Sequence, residues 1–130
     1  MNLSKLEKMW FPYPDDTARF EIKHLLSGDL AEIEDQANRE VVELTESGVK
    51  ARIDIKKKVK NELTVCSAVV AWENVNDSDG KAMECSPANK LRLCRELPQV
   101  EYIKLLNFIF DCREKLAEQI KQQQEQAKGN

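Results

Sequence analysis

VVAWENVNDSDGKAMECSPANKLRLCRELP, Val69 to Pro98, carries the punctuation that organises this chain. It reads as the end of an apolar helix near Trp72, an acidic turn from Asn74 to Gly80, and a new helix launched at Ser86-Pro87. Gly80 is free to adopt positive φ. Ser86 stands where an N-cap belongs, its side-chain oxygen able to accept from an otherwise orphaned amide. Pro87 occupies the first helical position, where its missing N–H costs nothing. Leu91, Leu93 and Cys94 give this helix an apolar side, and Pro98 ends it and starts the last one.

Toward the N-terminus, Met1 to Asp16 reads as an irregular arm, because Pro12 and Pro14 push their predecessors away from helix. Trp10, Phe11 and Tyr13 can anchor that arm on the chain's own core or plug a groove on a partner. Ala18 to Leu25 alternates: Ala18, Phe20, Ile22 and His24 share one face, and Arg19, Glu21 and Lys23 share the other. That is a half-buried strand. Ser27 offers an N-cap and Asp29 adds favourable charge to the first turn of a helix. Its stripe is Leu30, Ile33, Ala37, Val41 and Leu44. Ser47-Gly48 breaks the pattern.

Val49, Ala51, Ile53 and Ile55 then alternate, which predicts a second strand pairing antiparallel with the first. Helical spacing through Ile55, Val59, Leu63, Cys66, Val69 and Val70 offers the alternative of continuous helix. Lys56, Lys57, Lys58 and Lys60 fall at this join, either as a solvated helix face or as a contact for an acidic partner.

Beyond Pro98, Val100, Ile103, Leu106, Ile109, Phe110, Leu116 and Ile120 mark one long amphipathic helix. The same stripe is open to two readings, core or partner-binding surface. The candidate partner-binding residues are Val100, Ile103, Leu106, Phe110 and Leu116, with Trp10 and Phe11 on the arm. Residues 121–130, KQQQEQAKGN, have nothing to bury and read as a flexible tail. The expected architecture is α+β: a single, mainly helical domain over residues 1–120, with a small antiparallel sheet near the N-terminal half.

The chain has 130 residues, 42% hydrophobic and 33% charged, so a thin core and a wide solvated surface are expected. Net charge is −3 and aromatics are 6%, which argues against a phosphate-binding or base-stacking surface. No apolar run reaches the roughly 20 residues of a membrane span or matches a signal peptide. Cys66, Cys85, Cys94 and Cys112 therefore read as reduced thiols in a cytoplasm.

Their spacing contains no CxxC pair, and His24 is the single imidazole. Structural zinc wants close ligand pairs, so no metal is expected. With Gly80 at the sixth place of a calcium loop, Val75 holds the first place and Ser86 the twelfth, so the acidic turn lacks the necessary oxygens. No nucleophile elbow, phosphate loop or dinucleotide fingerprint is present. The expectation is a non-enzymatic protein without cofactors.

The central block resembles the tail assembly chaperones of long-tailed bacteriophages and prophages. The resemblance rests on Val70, Trp72, Val75, Asp79, Gly80, Lys81, Cys85, Asn89, Lys90, Leu93 and Pro98. Trp10-Phe11-Pro12-Tyr13 and Leu26-Ser27-Gly28-Asp29-Leu30 are similar as well. Such a resemblance implies binding of the tape measure protein, whose long amphipathic helices must be kept soluble, and recruitment of tail tube protein. It also implies self-association; the charge balance and the lack of a long apolar run separately point to no nucleic-acid or membrane partner. A structural minor tail or connector component of the virion is the alternative.

Overall fold

A computed structural model describes residues 7–44 and 49–128. Among these, the order is β1 (Lys8–Pro12), β2 (Arg19–Lys23), α1 (Ser27–Leu44), α2 (Val49–Ala68), β3 (Val69–Glu73), α3 (Pro87–Glu96) and α4 (Gln99–Lys128). The fold is α+β, mainly helical, with its sheet drawn chiefly from the N-terminal half.

The sheet runs β1-β2-β3, antiparallel throughout. Phe20 of β2 stands opposite Phe11 of β1 and Trp72 of β3, and all three are buried on the face that meets the helices. A bulge lies where Ile22 pairs with Val69 and Glu21 with Ala71, leaving Val70 as the extra residue. That insertion resets the alternation, so Val69 and Trp72, three apart, both turn inward.

Several expectations from sequence are corrected. Part of the N-terminal arm is strand β1. Pro12 is compatible with it because it terminates an edge strand, where a missing amide breaks no ladder. The strand expected at Val49–Ile55 is the start of helix α2, and β2 pairs instead with β1 and β3. The apparent alternation there does not mark a buried face, since Ile53 is 62% exposed while Ile55 is only half-buried. The helix expected to reach Trp72 ends at Ala68, because β-branched Val69 and Val70 give way to the edge of the sheet. Residues 121–128 stay in the helix: α4 continues to Lys128, built mainly from Lys, Gln and Glu, which favour helix without burial, and the last two residues of the expected tail lie outside the described residues. At the start of α1, Ser27 is the first helical residue, and Asp29 is the side chain that caps, its Oδ2 accepting from the Leu26 N–H at 2.8 Å. The break expected at Ser47-Gly48 lies outside the described residues.

The Val69–Pro98 block is a corner. The Trp72 indole N–H donates to the Met83 carbonyl at 2.7 Å. Asp77 Oδ1 accepts from the N–H groups of Asp79 and Lys81 at 2.9 and 3.0 Å, and Gly80 takes φ 78° between them. Ser86 caps α3 by accepting from the Asn89 N–H at 3.2 Å, with Pro87 at the first helical position. Lys90 Nζ donates to the Cys66 carbonyl at 3.1 Å and ties α3 back to α2. Arg95 Nε and the buried carboxylate of Glu62 repeat that tie at 2.8 Å.

α1 and α2 form an antiparallel hairpin pinned by Glu34, which meets both Lys56 and Lys60. Two of the lysines read as a basic face therefore have an internal partner. Those two ammonium groups lower the Glu34 carboxyl from 4.5 to about 2. A carboxyl depressed on folding stabilises the fold above its ordinary value and loses that contribution as pH falls toward 2. Thermal unfolding should therefore show Glu34→Gln less stable than wild type at neutral pH. The gap should close between about pH 4.5 and 2, and shrink in high salt.

Candidate functional site

α4 has 30 residues and presents two apolar stripes. Leu105, Ile109, Cys112, Leu116 and Ile120 recur at three and four and are all buried against the sheet and the other helices. A second line, Ile103, Leu106, Phe110 and Ala117, runs along the flank of the same helix. Ile103 is 48% exposed, Phe110 38% exposed and Leu106 half-buried. Near its middle this flank borders an open cleft of about 390 Å³. One wall is Phe110, Arg113, Glu114 and Ala117, and the other is His24 and Leu25 at the end of β2.

The local sequence explains the cleft. β2 ends at Lys23, and the backbone N–H of His24 donates to the Glu7 carbonyl at 2.7 Å before the chain turns into α1. Leu25 is buried from this turn, while Leu26 next to it is exposed. The Arg113 guanidinium lies over the Phe110 ring, 5.9 Å from its centroid. Burial pushes the Arg113 pKa below its ordinary value.

The residues singled out from sequence part company here. Ile103, Leu106 and Phe110 share the flank, and Val100, 64% exposed, lies a turn before them. Leu116 is fully buried and belongs to the core, because it falls on the stripe that faces the sheet. Phe11 is core as well. Trp10, its neighbour, points to the opposite face of the sheet by strand alternation, opposite Glu21 and under the Arg19 guanidinium at 5.4 Å. Trp10 therefore does not join the α4 flank.

A family model described as YdaY prophage protein matches residues 4–130. The chain belongs to the YdaY prophage protein family. No curated protein and no solved structure gives a match. The resemblance read from the central block is thus supported at the level of a prophage protein, and the residues that carried it are the turn and packing residues of the corner.

Among the described residues, no group of three or more His, Cys, Asp or Glu side chains is placed to hold a metal, and no helix is long and apolar enough to cross a membrane. Burial pushes all four thiols up, Cys94 and Cys112 to about 12, which keeps them protonated, and Cys94 and Cys112 fill the core. Sequence reasoning missed the contribution of His24, Leu25, Arg113 and Ala117. A sequence signal existed for the α4 members: Ile103, Phe110 and Ala117 recur every seven residues, offset from the core stripe.

The division into two stripes is testable by unfolding. Leu116→Ala should cost about 2–5 kcal/mol, the usual range for a buried leucine. Ile103→Ser should stay within about 0.5 kcal/mol, as for an exposed surface position.

Proposed function

We propose that this prophage protein is a non-catalytic tail assembly chaperone, which holds an amphipathic helix of the tape measure protein against the flank of α4. The observation that supports this reading is the exposed apolar line of Ile103, Leu106 and Phe110 bordering an open cleft on a helix whose core-facing stripe is already satisfied. An amphipathic client helix can lay its apolar face along such a line in helix-in-groove fashion. Covering the client's stripe removes the apolar surface that would otherwise drive its aggregation. The work takes place in the bacterial host cytoplasm, where the tail is assembled.

Co-expression with the tape measure protein of the same prophage tests this reading. The client should move into the soluble fraction and elute with the chaperone as one complex in size-exclusion chromatography. Replacing Ile103 and Phe110 together by Asp should abolish both effects while the chaperone itself stays folded. Unchanged client solubility and no complex would defeat the reading. Mass spectrometry of purified particles adds a second discriminator: an assembly chaperone is absent from them, whereas a minor tail or connector component is present at fixed stoichiometry.

A further inference from the structure

Arg113 is the half-buried arginine of the cleft, and it differs from three arginines elsewhere on the surface. Arg19, Arg92 and Arg95 each meet a carboxylate, on Glu73 at 3.5 Å, Glu96 at 2.9 Å and Glu62 at 2.8 Å. Among the described residues, Arg113 has no carboxylate within ion-pair distance, and the contact recorded for its guanidinium is the Phe110 ring. Its surroundings in the cleft include the apolar side chains of Leu25, Phe110 and Ala117. A cation partly withdrawn from water is costly unless an anion or hydrogen-bond acceptors replace the lost solvent. Glu114 lines the same cleft but follows Arg113 directly, so it projects about 100° away around the helix and does not face it.

We infer that Arg113 receives a carboxylate from the client helix, so that the cleft selects amphipathic helices carrying an acidic side chain within or beside their apolar stripe. This rests on the client-binding reading above and specifies the client's chemistry. Guanidinium and carboxylate match as paired donors and acceptors, and covering the cleft with a bound helix withdraws the pair from solvent and strengthens it. Ile103 and Phe110 are seven residues apart, about 10.5 Å along the helix, and Arg113 lies about one turn further on. A matching client offers apolar residues seven apart and an Asp or Glu one turn beyond one of them. A phosphate backbone fits poorly, because the chain carries a net charge of −3 and the single guanidinium has apolar walls and Glu114 beside it.

The test uses the full chain and synthetic helical peptides cut from the tape measure protein wherever that spacing occurs. Each peptide has a twin in which the acidic residue becomes its amide. Fluorescence anisotropy should show the acidic peptide binding wild type about tenfold more tightly than its twin. Arg113→Gln should erase that difference by weakening only the acidic peptide, and Arg113→Glu should be rescued by a peptide with Lys in place of the acid. Arg113→Lys, which keeps the charge but not the paired donors, should retain only part of the preference, and Arg113→Met, which removes the charge, serves if the Gln variant melts early. Equal affinity of acid and amide peptides, with binding still lost in Phe110→Asp, overturns the role of Arg113 and leaves the client-binding reading intact. No Phe110-dependent binding of any peptide overturns both.

Discussion

The arrangement turns on Phe20. Its ring meets Tyr13, Trp72 and Phe108, with centroids 5.8, 6.3 and 5.7 Å away, and Tyr13 in turn meets Phe108 at 4.9 Å. One side chain in the middle strand thus joins the β1–β2 turn, β3 and α4. Edge-to-face and tilted aromatic pairs of this kind contribute about 0.5–1.5 kcal/mol each beyond the area they bury. Their structural consequence is larger than that figure, because they set the rotation of α4 about its own axis. With Phe108 held on the sheet, Leu105, Ile109, Cys112 and Leu116 turn inward, and Ile103 and Phe110 are left on the outer flank.

The parts of this fold that were legible in the sequence are those governed by local chemistry. Alternation around Phe20 and Ile22 gave β2, and Ser86-Pro87 and Pro98 gave the start of α3 and the break before α4. The parts that were not legible depend on partners distant in the chain. Val69 and Val70 continue a helical spacing and also suit a strand, and pairing with β2 decides between them. β1 is a strand because β2 offers it an edge, and two prolines hid that possibility. Val49 to Ile55 shows the opposite case, an alternation with no sheet to join. Lys56 and Lys60, one turn apart on α2, instead reach Glu34 on α1.

The candidate interaction site was half legible for a related reason. A long helix with apolar residues at mixed spacings of three, four and seven can serve two surfaces at once. Periodicity alone merged Leu116 with Ile103 and Phe110, although they lie on different sides of the helix. Arg113 lies beside the outer line, where apolar periodicity assigns it no role. Its meaning depends on Leu25 and His24 arriving from the end of β2, which no local pattern announces. The acidic turn and Trp72 carry the family resemblance without forming the site: they build the corner that returns α3 and α4 to the sheet.

The isoleucines report on every surface in question. Ile22 and Ile109 are core, Ile53 is exposed on α2, and Ile103 is exposed on the α4 flank. NMR of protein labelled at the isoleucine methyl groups, titrated with the tape measure protein, tests the account most directly. Ile103 should shift or broaden in proportion to bound client, while Ile22, Ile109 and Ile53 stay in place. A client-dependent change at Ile53 with Ile103 unmoved would contradict the assignment of the α4 flank as the binding surface.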